Sequence, residues 1–350
     1  MKNIFLSLQI VLLITLKASA CGLVYSEEAM ARLVTERTLI VWNEKEKTED
    51  FIRSPQIETN KSDIGFIVPV PNIPDVTEVD DKIFSELDQL IEERRPTEIK
   101  FWRNFSDSLG SMDGISKSTG TLGAAPGSRG VMIVKEFNLS KYEVKVVKAT
   151  DLDAFKSWLQ ENNYAFRPAF EEWLKNYVND RYYLTVFKFK KDQDGEGLKA
   201  QAISIKFKAD APFYPYRDSS DMQASPDRNL KLYFLSDKMF LPDFSDSKIA
   251  KPQGFNETPD FSAQVKVRAK HQKLHFNEQN WLTVWSDTTQ ERPNRDLTFK
   301  AASEVTEEIL PDPKYIYLED YLPLVIVGII FVLLVGLVVL IVRFILKKLK

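Results

Sequence analysis

VMIVKEFNLSKYEVKVVKATDLDAFKSWLQENNYAFRPAFEEWLKNYVNDRYYLTVFKF, residues 131–189, is the stretch that decides the fold class. Val131–Phe137 and Glu143–Val147 carry the β-branched content of strands. Thr150-Asp151-Leu152-Asp153 reads as a helix start, with Thr150 as the expected N-cap and Asp153 in the first turn. Leu152, Phe155, Trp158 and Leu159 make the apolar face of that helix. A second helix follows Pro168, with Phe170, Trp173, Leu174, Tyr177 and Val178 at helical spacing. Tyr182–Phe189 returns to strand. Strands, then helices, then strands again imply an α+β architecture with mixed or antiparallel sheets and a few amphipathic helices.

Upstream, Arg32–Trp42 reads as a strand and Asn43–Asp50 as a charged turn. Ile64–Val70 is a further strand that runs into Pro69-Val70-Pro71-Asn72-Ile73-Pro74. Proline lacks the amide donor and pushes the residue before it into extended geometry, so this is an edge strand or a polyproline-like arm. Pro69, Pro71 and Pro74 are therefore binding candidates on an exposed edge. Asp80–Arg95 is an amphipathic helix stopped by Pro96, with Ile83, Phe84, Leu87, Leu90 and Ile91 on one face. Residues 106–130 are rich in Ser and Gly and read as a loop or linker. Downstream, Ala202–Phe207, Leu230–Leu235, Gln264–Phe276 and Trp281–Trp285 complete the β content, and Arg292–Lys314 leads towards the C-terminal apolar run.

The two ends address the chain to a membrane. Residues 1–20 carry Lys2, a mostly apolar Ile4–Leu16 and Ala18-Ser19-Ala20, the pattern of a secretory signal. Residues 323–346 read as a transmembrane helix, because Leu324–Val342 holds no charged residue, and about 20 apolar residues cross a hydrocarbon core of about 30 Å. Tyr315, Tyr317 and Tyr321, in or beside the juxtamembrane segment 315–322, suit the aromatic belt at the interface. Arg343, Lys347, Lys348 and Lys350 follow the span, the last three in the cytoplasmic tail 347–350. The expected layout is an N-terminal part, 21–105, and a main α+β part, 131–314, both outside the cytoplasm in the periplasm or at the cell surface.

Of the 47 basic residues six lie in the ends, so the exported part has 41 against 50 acidic residues, a net charge of −9. That excess argues against nucleic acid or anionic lipid as a general partner. Cys21 is the one cysteine, so no disulfide forms within the chain. It directly follows the cleavage pattern, where a bacterial lipoprotein is acylated, and lipidation, an intermolecular disulfide and a free thiol all stay open.

Catalytic signals are sparse. His271 and His275 are the two histidines. A zincin helix needs Glu after the first, and Gln272 stands there; on a strand both rings share a face, which makes them the candidate metal pair, disfavoured by Lys270 and Lys273. Asp192–Gly197 resembles the start of a calcium loop, but Ile203 occupies the bidentate position, so a hairpin turn is expected. No elbow, Walker or dinucleotide motif occurs, and no cofactor is implied. The expected function is a non-enzymatic binding or interaction module with an envelope protein partner. The alternatives are an envelope hydrolase using acidic residues or His271 and His275, and a small-ligand sensor.

Cys21-Gly22 after the leader, Gly65-Phe66-Ile67-Val68-Pro69-Val70-Pro71, the Asp151–Trp173 helical region with Asn162-Asn163-Tyr164, and Phe213-Tyr214-Pro215 together resemble the bacterial domain-of-unknown-function family 2330. The resemblance covers residues 21–236. It implies an exported bacterial protein without an assigned activity, so no catalytic residue is carried over. Family members carry further cysteines near the N-terminus and in the Gly-rich loop, and this chain has none after Cys21.

Overall fold

A computed structural model describes residues 23–25, 31–59, 64–101, 130–164, 168–190, 201–217, 229–244, 258–265, 280–288, 295–303 and 307–348. The elements run β1 Leu23–Tyr25, β2 Ala31–Asn43, β3 Thr48–Thr59, β4 Ile64–Val70, β5 Asp75–Glu78, α1 Lys82–Glu93, β6 Thr97–Lys100, β7 Val131–Asn138 and β8 Tyr142–Ala149. After them come α2 Leu152–Glu161, α3 Pro168–Asn179, β9 Tyr183–Phe189, β10 Ile203–Lys208, β11 Phe213–Tyr214 and β12 Asn229–Ser236. The chain finishes with β13 Phe240–Pro242, β14 Phe261–Val265, β15 Asn280–Asp287, β16 Leu297–Ala301, β17 Lys314–Tyr317, a 3-10 turn Leu318–Tyr321 and α4 Leu322–Lys348. The α+β class with one long apolar C-terminal helix is as the sequence implies.

Two sheets organise the larger part. A five-stranded antiparallel sheet has the order β1-β4-β9-β8-β7, and a seven-stranded mixed sheet the order β14-β15-β12-β2-β3-β10-β5, parallel only between β2 and β12. Alternation along the strands puts Phe66, Val68, Tyr142, Val144 and Phe187 of the first sheet into one core with Ile40, Phe51, Ile205, Leu232 and Phe234 of the second. The opposite face of the five-stranded sheet, through Ile67, Val147, Leu184 and Val186, packs on Phe155, Trp158, Trp173 and Leu174 of α2 and α3. On the far face of the seven-stranded sheet Phe84 of α1 meets Tyr233, with ring centroids 5.7 Å apart. The layers therefore run helix, sheet, sheet, helix. A small sheet, β11-β16-β13, adds Tyr214, Phe240, Leu297 and Phe299 to the inter-sheet core.

Gly65 is required by a close approach. A Cβ there would lie 2.2 Å from the Phe187 carbonyl oxygen on the neighbouring strand, and that backbone atom has no freedom to retreat.

Several local expectations need correction. The N-cap of α2 is Asp151, whose carboxylate accepts from Ala154 N at 2.8 Å; Thr150 instead donates its hydroxyl to Asp151 and to the Gly130 carbonyl. A carboxylate at the N-cap also gains from the helix dipole, which a hydroxyl does not match. The charged turn is shorter than expected, because Thr48–Thr59 is a strand whose Glu49, Asp50 and Arg53 are buried and hide its pattern. Strands β9 and β10 lie in different sheets; residues 192–197, where a hairpin turn is expected, lie outside the described residues. Arg292–Lys314 is more than a lead to the apolar run, since β16 folds back to pair with β11 and β13.

Two compact units divide the chain. One takes in the described residues within Met1–Asp88 and Lys117–Ile309, and holds both large sheets. The other takes in those within Gln89–Ser116 and Leu310–Lys350. Its base is a parallel pair, β6 with β17. From β17 the chain enters α4, whose 27 residues at 1.5 Å each span about 40 Å, and all of them are exposed. A core helix of this apolarity would be buried; α4 is long and apolar enough to cross a membrane.

Candidate functional site

Lys135 joins two neighbouring features into one rim. Its Nζ donates to the Pro74 carbonyl at 3.3 Å and pairs with Asp75 at 2.6 Å. On one side of that tie lies the Pro-rich arm; on the other lies β7, the outermost strand of the five-stranded sheet.

The arm carries the chain from β4 in one sheet to β5 in the other. Pro69 stands opposite Leu184 of β9, and β1 reaches only Ile64–Phe66 on the other side, so the missing amide falls where no described strand needs it. Asn72 donates its side-chain amide to the Lys208 carbonyl at 2.8 Å, which fixes the bend. The expected exposed edge is narrower than the prolines suggest. Pro69 and Pro74 are buried, Pro71 is half-buried, and only Asn72 and Ile73 are open. Proline rings are apolar, and the crossover presses two of the three against the body.

Among the described strands β7 has one neighbour, β8. Its outer row of amides and carbonyls is thus a template for a further strand. Met132 is 60% and Ile133 42% exposed. The register slips between Ile133 and Lys135, a local twist of the kind that marks edges and re-aims side chains.

Elsewhere in the body, ionisable groups are tied to one another. Glu36 and Arg53 are both buried between the sheets, with Arg53 Nε 2.7 Å from Glu36 Oε1, held by charge more than by a straight hydrogen bond. The Arg53 guanidinium lies 5.2 Å above the Phe66 ring. Asp296 accepts from the Tyr177 hydroxyl at 2.8 Å and from Arg217 through its backbone N at 3.2 Å, Nε at 3.0 Å and Nη2 at 3.0 Å. Trp173 of α3 also donates to the Arg217 carbonyl. Burial pushes the Asp296 carboxyl up and the adjacent Arg217 pulls it back. A carboxylate with four donors around it has little left to offer a substrate; this cluster clamps α3 to the segments after β11 and before β16.

Glu49 is fully buried. Its cross-strand neighbours are Trp42 and Phe207, and its Oε2 accepts the Phe213 amide at 2.7 Å while Oε1 has no partner. Burial pushes its carboxyl well above the usual range, which disfavours the ionised form. A carboxyl whose folded pKa is raised contributes stability that is complete below its unfolded value and is lost as pH rises through the folded value. Urea midpoints should therefore fall from pH 5 to pH 8 by more in the wild type than in Glu49→Gln, which cannot ionise. Equal falls in the two proteins would mean that Glu49 titrates normally.

Of the site candidates singled out in the sequence, the described residues include the three prolines. Cys21, His271 and His275 lie outside the described residues. Among the described residues no group of three His, Cys, Asp or Glu side chains is placed to hold a metal. The β7 rim was missed because an edge strand and an inner strand share the same β-rich composition; only the mixed pattern of Val131–Asn138, polar on neither face alone, hinted at it.

Among solved structures, the crystal structure of baculovirus P35 is similar at 12% identity, covering 78% of this chain and 98% of that one with a TM-score of 0.39. The caspase-8/P35 complex is similar at 9% identity, covering 76% and 96% with a TM-score of 0.35. No curated protein matches the chain. A family model described as an uncharacterized protein conserved in bacteria, DUF2330, matches residues 15–253, a stretch that takes in the Pro-rich arm and β7, and the chain belongs to that family.

Proposed function

We propose that this chain is a single-pass, membrane-anchored binding module whose α+β body lies outside the cytoplasm and holds a protein partner of the cell envelope. The observation that carries the reading is the open edge of β7, with Met132 and Ile133 exposed beside the Lys135 tie. In strand addition the partner's main chain pairs with such an edge, and alternate side chains give selectivity. The partner is accordingly an extended protein segment laid along β7, with Pro71, backed by Pro69 and Pro74, framing the adjoining arm.

Three further features support the reading. The leader pattern of residues 1–20 directs export. The cations after the apolar helix favour a cytoplasmic C-terminus. The Asp296 and Glu36 clusters are engaged in internal bonds rather than aimed at a substrate.

Photo-crosslinking tests the proposal. A benzophenone amino acid at Met132 of the full-length protein in native membranes is expected to give an adduct of discrete mass. Ile133→Lys should abolish that adduct while leaving the unfolding free energy within the small range of a surface change, about 0.5 kcal/mol. Failure to recover any reproducible adduct would count decisively against the edge as a binding site.

A further inference from the structure

The small unit at the start of α4 has an apolar surface that a water-soluble collar would not keep. Ile99 is 67% and Phe101 71% exposed, and Tyr321 and Leu322, where the apolar helix begins, are also open. Ile99 stands opposite Ile316 in the parallel β6–β17 pair, so both project to one face. Their neighbours Glu98, Lys100 and Tyr315 alternate to the other face, where Lys100 Nζ sits 3.4 Å from the Tyr315 ring centroid.

The position of this patch along the helix axis is fixed by backbone bonds. Glu319 N donates to the Phe101 carbonyl at 3.3 Å, and α4 starts at Leu322. Three residues of 3-10 helix rise about 2.0 Å each, so Glu319, which holds the Phe101 carbonyl, lies about 6 Å along the axis from the first residue of the apolar helix. The base is held there by two further bonds, Lys314 N to the Pro96 carbonyl at 2.8 Å and an Arg95 guanidinium N–H to the Asp312 carbonyl at 2.6 Å.

We infer that Ile99 and Phe101 insert into the interfacial layer of the bilayer leaflet at the N-terminal end of α4, so that the β6–β17 pair is a lipid-seated collar. The proposal rests on reading α4 as a membrane span. The occupant is lipid because the patch continues directly into the helix surface that lipid covers, and aromatic side chains favour that depth. Glu98, Glu319 and Asp320 keep their carboxylates towards water, since a carboxylate costs too much to carry into hydrocarbon. Tyr315 and Tyr321 are the tyrosines open to the interface; Tyr317, expected to join them, is buried.

Nitroxide accessibility decides the matter in the full-length chain. Cys21 is the only cysteine, so Cys21→Ser permits a single label at Ile99→Cys, Phe101→Cys, Glu98→Cys or Gly336→Cys. A side chain at Gly336 meets no atom within 4 Å. In phosphatidylcholine vesicles the ratio of oxygen to nickel-chelate accessibility should be several-fold higher at 99 and 101 than at 98, and highest at 336. Labels at 99 and 101 that match 98, with 336 still deep, overturn the collar and leave the span intact. A water-exposed label at 336 overturns the span itself. Labels at 99 and 101 shielded from both agents also overturn the proposal, because protein rather than lipid then covers the patch.

Discussion

Replacing Arg53 by Ala is expected to lower the unfolding free energy of the body by about 3–5 kcal/mol, because it removes the cation paired with the buried Glu36 carboxylate between two sheets. The reason is the asymmetry of buried pairs. Their mutual attraction offsets most of the desolvation, whereas a single remaining ion has nothing to offset its own. Cross-strand pairing keeps Arg53 opposite Thr38 on one side and Ile203 on the other, so it has no route to water. Urea denaturation of the detergent-solubilised full chain, followed by Trp fluorescence, measures the change. The double variant Arg53→Met with Glu36→Leu should recover most of the loss, since apolar side chains of similar volume carry no desolvation cost. A loss below about 1 kcal/mol in Arg53→Ala would place the pair in the solvated class.

Phe66→Ala should cost a similar amount, about 3–5 kcal/mol, by opening a cavity at the centre of the sandwich. Phe66 is fully buried and stacks on Phe187 at 4.5 Å with an interplanar angle of 11°. It also meets the Tyr142 ring edge-on at 5.9 Å. Gly65 beside it brings the two backbones too close for the strands to slide inward and fill the gap. Since the Arg53 guanidinium sits over the same ring, the two substitutions should not add; a coupling of about 0.5–2 kcal/mol is expected from the double-mutant cycle. Strict additivity would show that the cation and the ring do not interact.

These two residues also mark the limit of what the sequence discloses. The apolar run Ile64–Val70 announces a strand that contains Phe66. Nothing announces Arg53. In Thr48–Thr59 a run of Glu, Asp, Arg, Ser and Pro reads as solvated, and the strand is recognised only once Glu36 and the Phe66 ring are brought to it from neighbouring strands. The helices were legible for the opposite reason. Each of α1, α2 and α3 buries one stripe against a sheet, and a stripe at 3.6-residue spacing is a local pattern. Cap identity lay between, since Thr150 and Asp151 are both competent caps and the contact of Thr150 with the Gly130 carbonyl tips the choice.

The candidate rim divides in the same way. Pro69, Pro71 and Pro74 can be found by eye, but their burial cannot, because it follows from the passage of the arm between sheets. That β7 rather than β4 presents the open edge is a matter of strand order, set by which strands pair across long separations.

By itself, then, the sequence determined the α+β class, the positions of the amphipathic helices and the apolar C-terminal helix, all of which are written in spacings of a few residues. Tertiary structure alone decided which charges are buried, which strand lies at the edge, and that Ile99 and Phe101 arrive at the start of a helix more than two hundred positions later in the chain. The physical reason is that periodicity records only how a segment divides its two faces. What each face meets is fixed by pairings such as β6 with β17, whose partners have no local signal in common.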